Sequence, residues 1–223
     1  MTTTTPIIAA LAGRDSSTRL RAALEAGRSA DERLTETLVT RCAVEPDFFV
    51  RDMLTWALCR LPPAMVVPRL IAELSSPVPQ ARAQALHTLS KIGDASSWPA
   101  VSELLADGDD EVARSAWRAA VATVPAGEEE RLADAFATQL GRGDLDMHRS
   151  LSRALAELGE SAIPALRAAA ANGDPRVRDH AEATERLRLD PDSGFTPSVE
   201  LARRIAAAGA DLESAPGPEE DEC

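Results

Sequence analysis

The segment PQARAQALHTLSKIG (79–93) is one copy of a pattern that recurs along the chain. An arginine near its start is followed by alanine and leucine at helical spacing, and a glycine closes it, as is typical of a helix C-terminus. Four more segments align with it on that arginine: FFVRDMLTWALCRLP (48–62), DEVARSAWRAAVATV (110–124), LDMHRSLSRALAELG (145–159) and DPRVRDHAEATERLR (174–188). The aligned residues are Arg51, Arg82, Arg114, Arg149 and Arg178. This recurrence predicts a structural repeat of about 32 residues.

Another helical segment, the first of each unit, precedes three of these segments. The corresponding phrases are VVPRLIAELSS (66–76), SWPAVSELLADG (97–108) and SAIPALRAAAANG (161–173). We expect Pro68, Pro99 and Pro164 to lie in the first turn of these helices, where the missing N–H of proline costs least. The unit is therefore helix, turn, helix, turn. Such a pair buries enough apolar surface only when it stacks on its neighbours.

The composition favours an all-helical protein and argues against two classes of function. Hydrophobic residues make up 44% of the chain and aromatic residues only 3%, and the formal net charge is −12. This acidity argues against general nucleic-acid binding and against attachment to an anionic membrane. No segment approaches the ~18 apolar residues of a membrane span, and the N-terminus lacks the basic region of a signal peptide. We therefore expect a soluble, cytoplasmic and monomeric protein.

The pattern resembles the HEAT repeat, particularly the short bacterial form also found in phycobilin lyases. The first-helix proline, the turn aspartate, the Val/Ala-Arg pair, the Ala-Leu pair and the closing Leu-Gly or Ile-Gly carry the resemblance over residues 30–190. The phrases from VRDMLTWAL to LSRALAELGE are also similar to an uncharacterised actinobacterial HEAT-repeat family. The resemblance implies an all-α fold, a right-handed α-solenoid of about five to six helix pairs.

We divide the chain into three parts. Residues 1–189 form the solenoid, and within it residues 7–26 form a degenerate N-terminal pair with Arg19 or Arg21 in the arginine position. Residues 190–210 form a loop and a C-terminal capping helix, since a terminal helix commonly covers the last repeat. Residues 211–223, DLESAPGPEEDEC, have the composition of a disordered acidic tail.

The resemblance also implies a structural role for the aligned arginines. Each would pair with an acidic residue of a turn, and such a contact is called a rung below. In HEAT proteins the turn aspartate usually pairs with the second-helix arginine. The aspartates placed for this role are Asp47, Asp109, Asp144 and Asp174. The repeat at 79–93 departs from the pattern because Ser75-Ser76-Pro77 stands where the aspartate is expected, so its rung is the exception. The long spacing before Arg149 leaves room for a slip of one residue.

The candidate catalytic and metal-ligating residues do not form a recognisable site in the sequence. His87, His148 and His180 occupy different positions within their repeats, so we expect that stacking does not bring them together, and no metal site follows. His87, Ser90 and Lys91 share one helical turn but lack a positioned acid or an oxyanion donor. The sequence predicts no catalytic residue, no metal and no cofactor, and therefore no enzyme.

The tryptophans and two cysteines have mainly structural interpretations. Trp117 falls at a core position and Trp98 at the start of a helix. Trp56 is either an aromatic anchor in a groove or a residue packed against the neighbouring repeat. Cys42 and Cys59 are expected to be packed thiols, as free cysteines usually are.

In HEAT solenoids the second helices line the concave face, and their positions outside the core form a groove. The residues expected there are Met53, Trp56, Arg60, Gln84, His87, Lys91, Arg118, Arg153, His180 and Arg186. This set is more basic than the whole chain, which favours an acidic or helical protein segment as the partner. The sequence thus predicts a protein-interaction scaffold of unknown partner, and the chain's own tail GPEEDEC is one candidate ligand.

Two other functions remain as alternatives. A HEAT-like DNA-binding or DNA glycosylase-type protein would share arginines and tryptophans on the inner face. The global acidity and the lack of a clear Trp-plus-Asp pocket count against it. A chromophore role as in bilin lyases would need a tyrosine-rich or cysteine-bearing cavity, and none is readable.

Overall fold

The computed structural model describes residues 4–190, which form twelve α-helices and contain no strand. The helices follow one another in six antiparallel pairs: α1 (Thr4–Leu11) and α2 (Ser16–Ser29), α3 (Thr35–Val44) and α4 (Phe48–Cys59), α5 (Pro63–Glu73) and α6 (Pro79–Ile92), α7 (Trp98–Ser102) and α8 (Asp110–Thr123), α9 (Glu129–Ala137) and α10 (Leu145–Glu157), α11 (Ile163–Ala170) and α12 (Pro175–Leu189). The predicted all-helical solenoid is confirmed. The predicted capping helix and acidic tail lie outside the described residues.

Stacking is closest along the second helix of each pair. Each of α2, α4, α6, α8 and α10 packs against the next second helix, whereas the first helices contact one another less closely. The tightest contact joins α6 and α8, where buried Ala83, Ala113 and Ala116 let the backbones approach. One hydrophobic cluster runs from Ile7 to Ala181 through all six pairs. The core is therefore continuous along the array.

Some helix ends differ from the sequence-based expectation. Pro99 and Pro164 lie in the first turn of α7 and α11, but Pro68 lies inside α5, whose first residue is Pro63. The expectation for Pro68 is wrong because the preceding Pro62-Pro63 step already starts the helix. Cys42 is buried, but Cys59 is exposed at the last residue of α4, so it is not a packed thiol.

The turn aspartates are helix caps and not partners of the aligned arginines. The side chain of each accepts backbone N–H groups in the first turn of a second helix. The residues with this role are Asp47, Asp109, Asp144 and Asp174, and Asp15 has the same role in α2. The expected Asp–Arg rungs are wrong because these carboxylates already satisfy the free N–H groups of the helix start.

Some of the arginines make a different contact inside their own pair. In three second helices the fourth residue after the N-cap is an arginine whose Nη1 donates to the carbonyl oxygen six residues earlier. The contacts are Arg19 to Gly13 at 3.1 Å, Arg51 to Glu45 at 2.9 Å and Arg82 to Ser76 at 2.9 Å. Each arginine therefore fastens its helix to the turn that precedes it.

Arg19 and Arg82 also reach the turn of the next pair. Nε and Nη2 of Arg19 donate to the two carboxylate oxygens of Glu45 at 2.7 Å, and Arg82 makes the same paired contact with Asp107 at 3.1 Å. Glu45 and Asp107 lie two residues before the next N-cap, and each also accepts the backbone N–H of that cap residue. The rung is thus an arginine bound to a turn carboxylate of the following pair. The repeat at 79–93, expected to lack a rung, has one through Arg82.

The register derived from the aligned arginines fails in the fourth and fifth pairs. Arg114 and Arg149 lie five residues after their N-caps, and the rung position is held by Ala113 and His148. Arg114 pairs with Glu111 in its own helix.

Arg149 likewise pairs within α10, with Asp146 at 3.3 Å. Among residues 4–190, the side chain of Arg178 has no hydrogen bond and no ion pair. The expected role as a rung is therefore wrong for Arg114, Arg149 and Arg178.

A reversed rung connects the fourth and fifth pairs. Arg142, from the turn before α10, donates to the carbonyl oxygen of Asp107 at 2.7 Å and to the carboxylate of Asp110 at 2.8 Å. The Asp107 carbonyl lies six residues before Ala113, so it is the acceptor that an arginine at the rung position would have used. The cation is therefore supplied by the following turn.

Candidate functional site

The candidate site is a cavity of about 320 Å³ between α4, α6 and α8, called the central cavity below. Its walls are formed by Phe48, Arg51, Asp52, Gln84, His87, Glu111, Ser115 and Arg118. Three of the predicted groove residues, Gln84, His87 and Arg118, therefore converge on one cavity from adjacent second helices. Its polar lining and its position across three pairs suit a polypeptide segment better than a small apolar ligand.

Arg118, a cation of the cavity, keeps part of its hydrogen-bonding capacity free. Arg118 donates to Ser115 Oγ at 3.1 Å and lies 3.9 Å from a carboxylate oxygen of Glu111, which is bound more closely by Arg114. About half of the Arg118 side chain is exposed. It can therefore offer N–H groups to an incoming carboxylate.

His87 is a neutral polar group of the cavity, like Gln84 and Ser115. Burial lowers its pKa below the usual value, and the charges of Arg118 and Lys91 lower it further. The imidazole is consequently uncharged at neutral pH and presents one donor and one acceptor nitrogen.

Phe48, which lines the cavity, forms an exposed aromatic pair with Phe49. Phe48 and Phe49 open α4 with exposed fractions of 65% and 71%, and their rings pack edge to face with centroids 5.7 Å apart. The guanidinium carbon of Arg51 lies 5.9 Å from the centre of the Phe48 ring. Neither phenylalanine was predicted as a site residue. The available signal was two bulky aromatic residues directly after a helix cap, where the repeat pattern places no core residue.

The other predicted groove residues do not line this cavity. Lys91, Arg153 and Arg186 are exposed on second helices, Arg60 is exposed directly after the end of α4, and Met53 is half-buried and packed on the core. These exposed residues stay candidate contacts along the same side of the array.

Trp56 combines packing with partial exposure. Its side chain is 37% exposed, and its ring lies directly against Gly27 of α2. Of its two interpretations, the structure shows contact with the neighbouring repeat. Gly27 has no Cβ, and this leaves the space that the ring fills.

We expect Gly27→Ala to expel the Trp56 ring and to destabilise the protein by about 1–3 kcal/mol, because the added methyl group overlaps the ring. Urea denaturation measures the loss, and tryptophan fluorescence should shift to the red. The same substitution combined with Trp56→Ala should cost less than the sum of the single changes. An additive double variant would contradict the packing contact.

His180 is not a groove residue. It is 2% exposed, and its Nδ1 accepts the backbone N–H of Gly141 at 3.0 Å, while Nε2 lies 3.0 Å from the carbonyl oxygen of His148. The assignment to the groove is wrong because α12 turns this side chain toward α10, where Ser152 Oγ is also within 3.1 Å.

His148 and His180 meet, contrary to expectation. Their rings stack with centroids 4.2 Å apart and an angle of 25°. His148 lies four residues after the N-cap of α10 and His180 six residues after that of α12, so the two differ in repeat position and meet only through the way the helices pack. Within residues 4–190, no group of three or more His, Cys, Asp or Glu side chains is placed to hold a metal ion. The pair is therefore a packing contact between α10 and α12.

Comparison with known proteins gives a family match for part of the chain. Residues 35–122, from α3 to α8, match the family model described as HEAT repeats. A comparison with curated proteins gave no significant match. In the described part of the chain, no helix has both the length and the apolar character needed to cross a membrane.

Several solved structures are similar to part of the array. One is an engineered protein, at 18% identity over 87% of this chain and 100% of that one, with a TM-score of 0.47. The complex of CpcE and CpcF of phycocyanin lyase from Nostoc sp. PCC7120 is 22% identical over 82% of this chain and 76% of that one, with a TM-score of 0.48. A designed armadillo repeat protein in complex with a (KR)4 peptide is 15% identical over 82% of this chain and 98% of that one, with a TM-score of 0.45.

Proposed function

We propose that this chain, whose residues 35–122 match the family model for HEAT repeats, is a non-enzymatic scaffold that binds an acidic or helical segment of a partner protein along its second helices. The observation that carries this proposal is the central cavity, in which polar side chains from three consecutive second helices surround one space. We also propose that the protein acts as a cytoplasmic monomer without a cofactor.

The packing of the array supports the choice of face. Second helices lie closer to their neighbours than first helices do, and a stack that is tighter on one side curves toward that side. The second helices then form the concave surface. A partner segment lying there would contact several repeats at once.

The side chains of this face support an acidic segment. Arg118 is exposed, and the cations Arg60, Lys91 and Arg153 lie on or directly after neighbouring second helices. Glu111, the nearest acid, is occupied by Arg114. Phe48 and Phe49 add exposed apolar area beside these cations. Aromatic and arginine side chains of this kind are the residues that most often dominate binding energy.

We expect Phe48→Ala combined with Arg118→Ala to weaken binding of an acidic helical peptide about tenfold. The probe is a fluorescein-labelled amphipathic peptide with glutamate on one face and leucine on the other, measured by fluorescence anisotropy. Arg131→Ala is the matched control, because Arg131 is exposed on the first helix α9. Equal loss in both variants would overturn the proposed face. Duplex DNA binding that is lost in the double variant would overturn the partner class.

The chain's own acidic segment is tested in the same assay. Removing residues 211–223 should tighten peptide binding if the sequence PEEDE competes for the cavity. Unchanged affinity would exclude the tail as a ligand and leave the partner segment as the occupant.

A further inference from the structure

The rung between the second and third pairs is incomplete. Nη1 of Arg51 donates to the carbonyl oxygens of Glu45 and Pro46, each at 2.9 Å. Its Nε is buried and has no hydrogen-bond partner among residues 4–190. In Arg19 and Arg82, the equivalent arginines, Nε donates to a carboxylate. A buried N–H group without an acceptor is uncommon and requires a physical explanation.

Ser76 occupies the position of the missing carboxylate. It lies two residues before the N-cap Val78, as Glu45 and Asp107 lie two residues before theirs. Its Oγ accepts the backbone N–H of Val78 at 3.3 Å, which is the contact that Glu45 and Asp107 make with their own cap residues. Serine thus keeps the turn contact but supplies neither the length nor the charge needed to bind an arginine.

The start of α6 lies beside Arg51. Gln80 Nε2 donates to the carbonyl oxygen of Glu45 at 2.9 Å, and Arg51 Nη1 donates to the same oxygen. Arg51, Pro79 and Gln80 also line a cavity of about 250 Å³. The turn before Pro79 therefore adjoins the cavity that Arg51 lines, whose other walls include the carboxylates of Asp109 and Glu111.

We propose that Ser76 is a phosphorylation site and that its phosphoryl group completes the rung with Arg51. The path from Cα through Cβ, Oγ and phosphorus to a terminal oxygen has as many bonds as the path from Cα to Oε in glutamate. A phosphoserine at this position therefore reaches as far as Glu45, with more negative charge. One phosphoryl oxygen accepts Nε–H of Arg51, a second accepts Nη2–H, and the N–H of Val78 keeps an acceptor.

The turn is accessible to a modifying enzyme. Ser75, Pro77, Val78 and Pro79 are exposed around the half-buried Ser76. In the reaction, Ser76 Oγ attacks the γ-phosphorus of a nucleoside triphosphate bound to a kinase, the bond from that phosphorus to the diphosphate breaks, and the hydroxyl proton passes to a base of the kinase. The product ties α4 to the turn before α6 and neutralises an arginine of the central cavity.

Site-specific incorporation of phosphoserine tests the contact. Phosphoserine at position 76 should raise the melting temperature by about 2–6 °C, and the rise should vanish in Arg51→Met. Phosphoserine at the exposed position 75 is the matched control and should produce no rise. Equal shifts at both positions, or a rise at 76 that survives Arg51→Met, would overturn the proposed rung.

A second experiment tests whether the modification occurs. The purified protein is incubated with adenosine triphosphate and a lysate of the cells in which it occurs naturally. The phosphorylated residues are then mapped by mass spectrometry. Phosphate on Ser76 that is absent from Ser76→Ala is the expected result. Phosphorylation confined to other residues, or none, would refute Ser76 as a physiological site.

Discussion

Replacing Glu45 with glutamine should lower the free energy of unfolding by about 3–5 kcal/mol, the largest loss that we expect from a single change in this chain. The Glu45 side chain is fully buried and binds both Arg19, which is 6% exposed, and Arg41. Glutamine keeps the shape but removes the charge, so the buried Arg19 cation is left without its counter-charge. Urea denaturation followed by circular dichroism measures the loss.

An exposed pair with similar geometry provides the control. Glu36 binds Arg69 at 2.6 Å, but the Glu36 side chain is 67% exposed. Glu36→Gln should therefore cost less than about 1 kcal/mol. Similar losses from the two substitutions would show that burial does not determine the strength of the Glu45 contacts.

The acid dependence of Glu45 gives an independent check. Burial alone would raise its pKa, but hydrogen bonds from Arg19, from the Asp47 backbone and from Arg41 lower it to about 2. The stabilisation from this carboxylate should be complete above the unfolded pKa of about 4.3 and should disappear as the pH falls toward 2.

Acidification to pH 5 should cost the protein about 2 kcal/mol of stability through His180 alone. Burial, and then the neighbouring His148, lowers the pKa of His180 to about 3, compared with about 6.5 in the unfolded chain. Below pH 6.5 the unfolded state binds a proton that the folded state excludes, so stability decreases as the pH falls from 6.5 toward 3. Protonated Nδ1 could no longer accept the backbone N–H of Gly141.

The measurement is a series of urea denaturation curves between pH 7.5 and 4.5. His180→Gln is less stable at pH 7 but should lose most of the slope between pH 6.5 and 5. His87→Gln is the comparison variant: burial also lowers the pKa of His87, but its side chain is only half-buried, so the substitution should remove a smaller part of the slope. A wild-type slope that persists in His180→Gln would show that another group carries the acid sensitivity.

The fold was predictable because its signals repeat. Alanine and leucine at helical spacing, proline at helix starts and glycine at helix ends indicate helix pairs, and each copy supports the others. The register was harder to predict, since Arg114 and Arg149 are one residue from the rung position. Alignment on the capping aspartates, which end the turn inside every pair except the third, would have given the correct register.

The site was only partly predictable for a related reason. Gln84, His87 and Arg118 were expected on the inner face because helical spacing determines which side they occupy. The contact of His148 with His180 depends on the relative rotation of α10 and α12, which helical periodicity within one segment does not determine. The role of Glu45 was missed because one buried glutamate in a turn resembles any surface glutamate in sequence.

The contact of Arg19 with Glu45 also sets an order of events during synthesis on the ribosome. Glu45 is translated 26 residues after the arginine that it neutralises. Until it emerges, we expect the guanidinium of Arg19 to remain hydrated and the first helix pair to lack this contact. We therefore expect the N-terminal pair to reach its final packing only after the second pair has been synthesised.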